Sequence, residues 1–148
     1  MIKETSAVFI GHRQCPEITV ENLTPHIEAM IAEGVNTFYN GGMGAFDLTA
    51  AQAVFNLKWK YPHIKSYLVI PYHNFRIVGR ELFDDVIYPF EGRESTFYYR
   101  AAIPKRNCYM VDNSAFALCY VSGAPGGATT TYNYAEKMGL KIKNIFFN

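Results

Sequence analysis

FYNGGMGAFDLTAAQAV, Phe38 to Val54, is the stretch that decides the fold. An apolar run, TFYN (37–40), stops at a cluster of glycines. It resumes as an apolar face, with Phe46, Ala50, Ala53, Val54 and Leu57 recurring at helical intervals. A strand that empties into a helix in this way is the junction of a βα unit. Glycine serves two purposes there: it permits a tight turn, and it lets a charged group reach bare backbone amides without meeting a Cβ.

The same pattern extends outward in both directions. AVFI (7–10) is a short strand ending at Gly-His-Arg (11–13). TPHIEAMIAEG (24–34) predicts a helix capped by Thr24, with Pro25 in its first turn and Gly34 as its stop. SYLVI (66–70) is a third strand, FRIVGRELFDD (75–85) a weaker helix and VIY (86–88) a short strand. The segment 89–114 turns helical from about Pro104. FALCYV (116–121) reads as a central strand, and SGAPGG leads into a helix over 128–139. KIKNIFFN (141–148) supplies the last strand. Residues 66–70 and 116–121 are apolar on both faces, as in a parallel sheet covered on both sides. The expectation is one α/β domain over residues 1–148, a doubly wound, mostly parallel sheet with helices on both faces.

Composition narrows the function. The chain has 148 residues, 49% of them hydrophobic and 18% charged, with a formal net charge of +1 at pH 7. That balance is globular, and it argues against a nonspecific nucleic-acid binder, which needs a basic stripe. No apolar run suggests a membrane span, and MIKETSAVFIGHR lacks the features of a secretory leader. Cys15, Cys108 and Cys119 show no C-x-x-C spacing and read as reduced thiols of a cytoplasmic protein. His12, His26, His63 and His73 are equally scattered, so no metal site is expected. Apolar surface on the outer elements leaves room for a homo-oligomer.

Ligands of such sheets bind at the carboxyl ends of the strands, near the switch in strand order. Three features converge on that edge: Gly11-His12-Arg13, the turn Gly41-Gly42-Met43-Gly44 leading to Phe46 and Asp47, and Gly126-Gly127-Ala128-Thr129-Thr130-Thr131. Both glycine turns open a helix, so both are expected to offer free amides to an anion, with the threonine hydroxyls adding donors. Arg13 or Arg106 would carry most of the phosphate affinity. Asp47 is either a favourable first-turn charge or an acceptor for a ribose hydroxyl or base edge. His12 is either a phosphate donor or a structural hydrogen-bonder. Arg106 and Asn107 belong to a charged segment that also holds Asp112, for which Arg106 is the expected partner. Tyr72, after the third strand, is either a core-edge ring or a platform for a base.

Taken in order, GHR, EGVNTFYNGGMGAFDLTAAQAV, YPHIK, KRNCYMVDNS and GGATTTYNYA resemble the YpsA-like family of the SLOG superfamily, Rossmann-like proteins that include the DprA/SMF and Lonely Guy groups. The resemblance spans nearly the whole chain. It implies a Rossmann-like sheet with a nucleotide-derived ligand over its carboxyl edge and no required cofactor. Position by position, Gly11, His12 and Arg13 fall on the first motif, and Gly41, Gly42, Phe46 and Asp47 on the second. Arg106, Asn107, Tyr109, Met110, Val111 and Asp112 fall on the third, and Gly126, Gly127, Thr131, Asn133 and Tyr134 on the fourth. This chain departs at Ala45, where the family commonly has a glycine. It also departs from the Lonely Guy phosphoribohydrolases, whose Pro-Gly-Gly motif continues to paired glutamates; here Tyr132 and Asn133 stand in those places.

Three functions follow, in descending order. The first is a receptor or sequestering protein for a nucleotide, ADP-ribose-like or NAD-derived small molecule. The second is a hydrolase of an N-glycosidic bond, with Asp47 or Asp112 in place of the missing glutamate. The third is a DprA-like protein associated with nucleic acid, against which the near-neutral charge weighs.

Overall fold

The computed structural model describes residues 2–147. Its six strands, β1 (Ser6–Gly11), β2 (Thr37–Asn40), β3 (Lys65–Val69), β4 (Asp85–Ile87), β5 (Phe116–Tyr120) and β6 (Lys141–Asn144), form one sheet in the order β4-β3-β2-β1-β5-β6. Every neighbouring pair is parallel. The chain begins in the middle, steps outward to β4, then crosses to the other side of β1. That reversal puts the topological switch between β1 and β5.

Helices α1 (Val20–Ala32) and α2 (Ala45–Leu57) cover one face, packing Leu23, Ile27, Phe46 and Val54 against Ala7, Phe9, Phe38 and Leu118. Helices α3 (Ala102–Asp112) and α4 (Gly127–Lys137) cover the other, packing Met110, Val111 and Ala135 against Val8, Ile10, Ala117 and Cys119. Consecutive residues of β1 thus point to opposite cores, which is why its run is apolar without alternation. Full burial of a Val, Leu, Ile or Phe side chain is worth about 1.5–3 kcal/mol. The fold is α/β and Rossmann-like, as expected, and the sheet is parallel throughout.

Several boundaries differ from the sequence reading. Helix α1 begins at Val20, not at Thr24. Thr19 Oγ1 accepts from the Asn22 amide at 3.1 Å while Asn22 Oδ1 accepts from the Thr19 amide at 3.1 Å. This reciprocal box, with the burial of Leu23 and Ile27, outweighs the cost of Pro25 inside the helix. The weak helix over 75–85 is absent; only a 3₁₀ turn, Arg80–Leu82, forms, and Phe83 docks against Leu68, Ile70 and Ala51. Helix α3 starts two residues before Pro104, which sits in its first turn. Strand β6 stops at Asn144, whose side chain pairs with both backbone groups of Val121 at 3.1 and 2.9 Å. The rest of that expected strand is a 3₁₀ turn, with Asn148 outside the described residues.

One expected ligand contact is core. Phe46 is fully buried, stacked on Tyr120 with centroids 6.2 Å apart, and it lies directly beneath Gly11. A Cβ at Gly11 would fall 2.2 Å from Phe46 Cδ2. Gly11→Ala is therefore expected to destabilise the protein by about 1–3 kcal/mol through overpacking. Urea denaturation checks this, and the loss should shrink when Gly11→Ala is made in a Phe46→Ala background, which removes the Cγ and Cδ2 contacts. An equal loss in both backgrounds would mean that the ring is not what excludes the methyl group.

Candidate functional site

A cleft of about 280 Å³ opens at the carboxyl edge of the sheet, where β1 and β5 part. The end of β1 and the turn after it supply Phe9, Ile10, Gly11, His12 and Arg13. The start of α2 and its approach supply Gly41, Met43 and Asp47. Helix α3 gives Ile103, Arg106, Asn107 and Met110, and the start of α4 gives Gly126, Gly127, Ala128 and Thr131. The three convergent motifs of the sequence meet here.

The two glycine turns do different work. At α4, Gly126 occupies the cap position with no side-chain hydrogen bond, and the amides of Gly127, Ala128 and Thr129 have no acceptor among the described residues. These bare N–H groups, with the helix dipole behind them, have the chemistry that favours an anion. The threonine hydroxyls do not add donors, contrary to expectation. Thr129 Oγ1 donates to Ala124 O, Thr130 Oγ1 to Gly126 O at 3.1 Å, and Thr131 Oγ1 to Gly127 O at 2.8 Å. Their protons are already committed to the chain's own carbonyls.

At α2 the amides are largely taken. Gly42 N–H donates to Asn40 Oδ1 at 2.8 Å, Met43 N–H to Asp47 Oδ2 at 3.0 Å, and Ala45 N–H to Arg13 O at 2.7 Å. Gly44 holds φ at 92°, and a Cβ there would lie 2.5 Å from Arg13 Cα. Glycine is needed here for closeness between two backbone segments, not for a ligand. With the Asp47 carboxylate in its first turn, this junction repels phosphate. The expectation of two equivalent anion cradles is corrected to one.

Arg106 is only 2% exposed, so this member of the charged segment is buried and not on a solvated face. Its Nη1 donates to Gly41 O at 2.8 Å and Val69 O at 2.7 Å, and its Nε to Asn107 Oδ1 at 2.9 Å. Nη2 reaches only the Met43 thioether, at 3.1 Å, a weak acceptor. Across Gly41 lies Asp47, 8% exposed; a Cβ on Gly41 would sit 3.2 Å from Arg106 Cζ and 3.3 Å from Asp47 Oδ2. Among the described residues no ion pair joins the two. Burial pushes the Asp47 carboxyl up to about 6, against the pull of the Met43 amide, Arg106 and Arg13. Burial likewise lowers Arg106 to about 10, opposed by Asp47 and Tyr72.

The remaining candidates divide. His12 Nε2 accepts from the Ser122 amide at 2.8 Å, so His12 ties β1 to the turn after β5 rather than donating to a ligand through that atom. Arg13 is exposed at the rim. Asp112 does not line the cleft, and its partner is not Arg106: it accepts from the Tyr134 hydroxyl at 2.6 Å. Gly42, Gly44, Thr129, Thr130 and Tyr72 also lie outside the lining. Phe9, Ile10 and Ile103 were not singled out by sequence reasoning, and Met110 only as a residue of the third motif; the spacing 103, 106, 107, 110 on one helix face was the signal available. His73 meets Glu91 at 3.2 Å and Glu94 at 3.8 Å on the exposed surface.

Residues 7–147 match the family described as the YspA SLOG family. The chain belongs to that family. It is 28% identical, over 139 aligned residues covering 81% of each chain, to the uncharacterized SPbeta prophage-derived protein YoqJ of Bacillus subtilis (strain 168). Among solved structures it resembles DNA processing protein A of Streptococcus pneumoniae, with TM-score 0.65 at 16% identity, and that of Helicobacter pylori, with TM-score 0.62 at 12% identity. Each likeness takes in 95% of this chain but only 50% and 64% of those longer chains, respectively. The likeness is one of fold. None of the helices among the described residues is long and apolar enough to cross a membrane.

Asp47 makes a pH signature. Its folded pKa of about 6 lies above the ordinary 3.8, so the folded state holds that proton more tightly than the unfolded chain. The associated stabilisation is complete below the ordinary value and is lost as pH rises through 6. Asp47→Asn, which keeps an oxygen for the Met43 amide, should therefore gain stability over the wild type as pH rises from 5 to 7, by about 1.4 kcal/mol. Urea midpoints at the two pH values measure it; a constant difference between variant and wild type would contradict the assignment.

Proposed function

We propose that this protein binds a nucleotide or nucleotide-derived small molecule in the switch-point cleft, acting as a sensor or sequestering protein. A phosphate settles on the bare amides at the start of α4, with Arg13 free to swing over it from the rim. The sugar extends toward Asn107, Arg106 and Asp47, where a carboxylate accepts its hydroxyl donors. One observation carries the reading: an open helix start faces, across the switch point, a buried carboxylate that no cation has claimed. The dipole supplies only about 0.3–1 kcal/mol, whereas charge-assisted hydrogen bonds contribute about 1.5–3 kcal/mol each. Affinity therefore rests on the number of amide and guanidinium contacts. The cleft is at the small end of ligand pockets, about 300–1,000 Å³, so one nucleotide unit fits inside and any second unit projects outward.

A hydrolase reading has one observation in its favour. Asp47 has a carboxyl pKa near neutrality inside the cleft, a property suited to general acid–base work. Against it, no second carboxylate lines the cleft among the described residues, and glycosidic cleavage ordinarily uses two. The Helicobacter pylori protein is described as binding single-stranded DNA. For this chain, the net charge of +1 weighs against a strand as the ligand.

Calorimetry with nucleoside monophosphates, NAD, ADP-ribose and cyclic ADP-ribose isomers tests the proposal, using Gly127→Asp as the control. A Cβ at Gly127 meets nothing within 4 Å, and an acidic residue suits a helix's first turn. The variant should keep or raise its thermal midpoint while losing at least tenfold in affinity. Binding unchanged by Gly127→Asp, or no binding below millimolar, would refute the site. Free base released during incubation would turn the assignment to the hydrolase, and a salt-sensitive shift of a labelled oligonucleotide would turn it to nucleic acid.

A further inference from the structure

The cleft-lining stripe of α3 does not end where the helix does. Ile103, Arg106, Asn107 and Met110 share one face of α3. Just upstream, a 3₁₀ turn, Tyr99–Ala101, runs into α3 without a break: Ala101 holds φ −87°, ψ −7° and Ala102 φ −62°, ψ −44°. Tyr99 precedes Ile103 by one helical turn, so it prolongs the stripe past the cleft to its mouth.

There its ring lies on Tyr72, with centroids 4.7 Å apart and planes 25° from parallel. Tyr72 comes from the turn after β3, the strand whose Val69 carbonyl Arg106 holds, and Tyr72 is near enough to Arg106 to influence its charge. The pair therefore ties the segment before α3 to the turn after β3, just outside the cleft lining. Tyr72 is half-buried and Tyr99 is 66% exposed. One ring is anchored, and the other keeps a face to solvent. A rigidly backed, exposed aromatic face is an efficient recognition surface, because little ordering remains to be done on binding. The neighbouring Arg100 packs its guanidinium 5.6 Å from the Tyr98 ring, adding positive charge beside the same rim.

We propose that the outer face of Tyr99 is the base platform of this site: the planar heterocycle of the ligand stacks on Tyr99, with Tyr72 as its backing ring. The inference rests on the nucleotide reading above and adds which part of the ligand is read, and where. The occupant is a nucleobase or a nicotinamide-like ring attached to a phosphorylated sugar. Purines should exceed pyrimidines, since the larger ring covers more of the tyrosine face.

The test compares the four nucleoside monophosphates with ribose 5-phosphate, by calorimetry on wild type, Tyr99→Ala, Tyr99→Phe and Gly127→Asp. In the wild type the purine monophosphates bind more tightly than ribose 5-phosphate. Tyr99→Ala should lower their affinity by about five- to a hundredfold, the usual range for a lost base stack, and leave ribose 5-phosphate unchanged. Tyr99→Phe keeps the ring and should keep the affinity, whereas Gly127→Asp weakens every ligand. If Tyr99→Ala weakens ribose 5-phosphate just as much, the tyrosine shapes the mouth and is no platform. If the wild type binds all five ligands alike, the platform is refuted and the phosphate subsite stands. If it binds none of them, both readings fall.

Discussion

A buried guanidinium holds this carboxyl edge together. Arg106 reaches from α3 under the sheet's edge and receives, on one nitrogen, the last carbonyl of β3 and the first carbonyl beyond β2. Without it, two strand ends would present unpaired oxygens in a region closed to water, each costing about 1–3 kcal/mol. The clamp also dictates what else fits. A side chain at Gly41 would crowd both the guanidinium and Asp47, and Met43 folds back to cover Nη2. The shape of the cleft floor follows from satisfying one side chain.

Much of this was legible in the sequence, and the failures share a cause. Period and punctuation located all six strands and α2 closely, because a strand buried on both faces and a helix with one apolar stripe are local patterns. The convergence of GHR, GGMGAFD and GGATTT on one edge was also readable, since parallel topology forces every strand–helix turn to the same side. What could not be read was whether those turns were free. GGMGAFD and GGATTT look alike as strings. They differ because a distant segment, at Arg13, accepts through its carbonyl the Ala45 amide of one of them. The same holds for Arg106, whose burial depends on two carbonyls that sequence distance hides. Thr24 was the expected cap, but Thr19 serves instead, because Asn22 three residues on completes a reciprocal box with it.

The asymmetry between the two turns has a chemical consequence. A phosphate at α2 would meet a carboxylate; a phosphate at α4 meets three amides and nothing acidic among the lining residues of that helix. The cleft is therefore polarised along its length, with anion-seeking amides at one end and an anionic acceptor at the other. Molecules with a phosphate and, a short distance away, hydroxyl or amide N–H groups match that polarity. Inorganic phosphate engages one end only.

The deeper end carries a charge imbalance that a ligand can resolve. Asp47 and Arg106 lie near enough to perturb one another but are held apart by Gly41, so neither neutralises the other through contact. Direct pairing would lower the Asp47 carboxyl further and fill the gap, leaving the cleft without an acceptor. Held apart, the carboxylate stays close to its protonation midpoint near neutral pH. A ligand donor that binds the ionised form must expel the proton, so affinity should strengthen as pH rises through about 6, the reverse of the trend for the protein's own stability contribution.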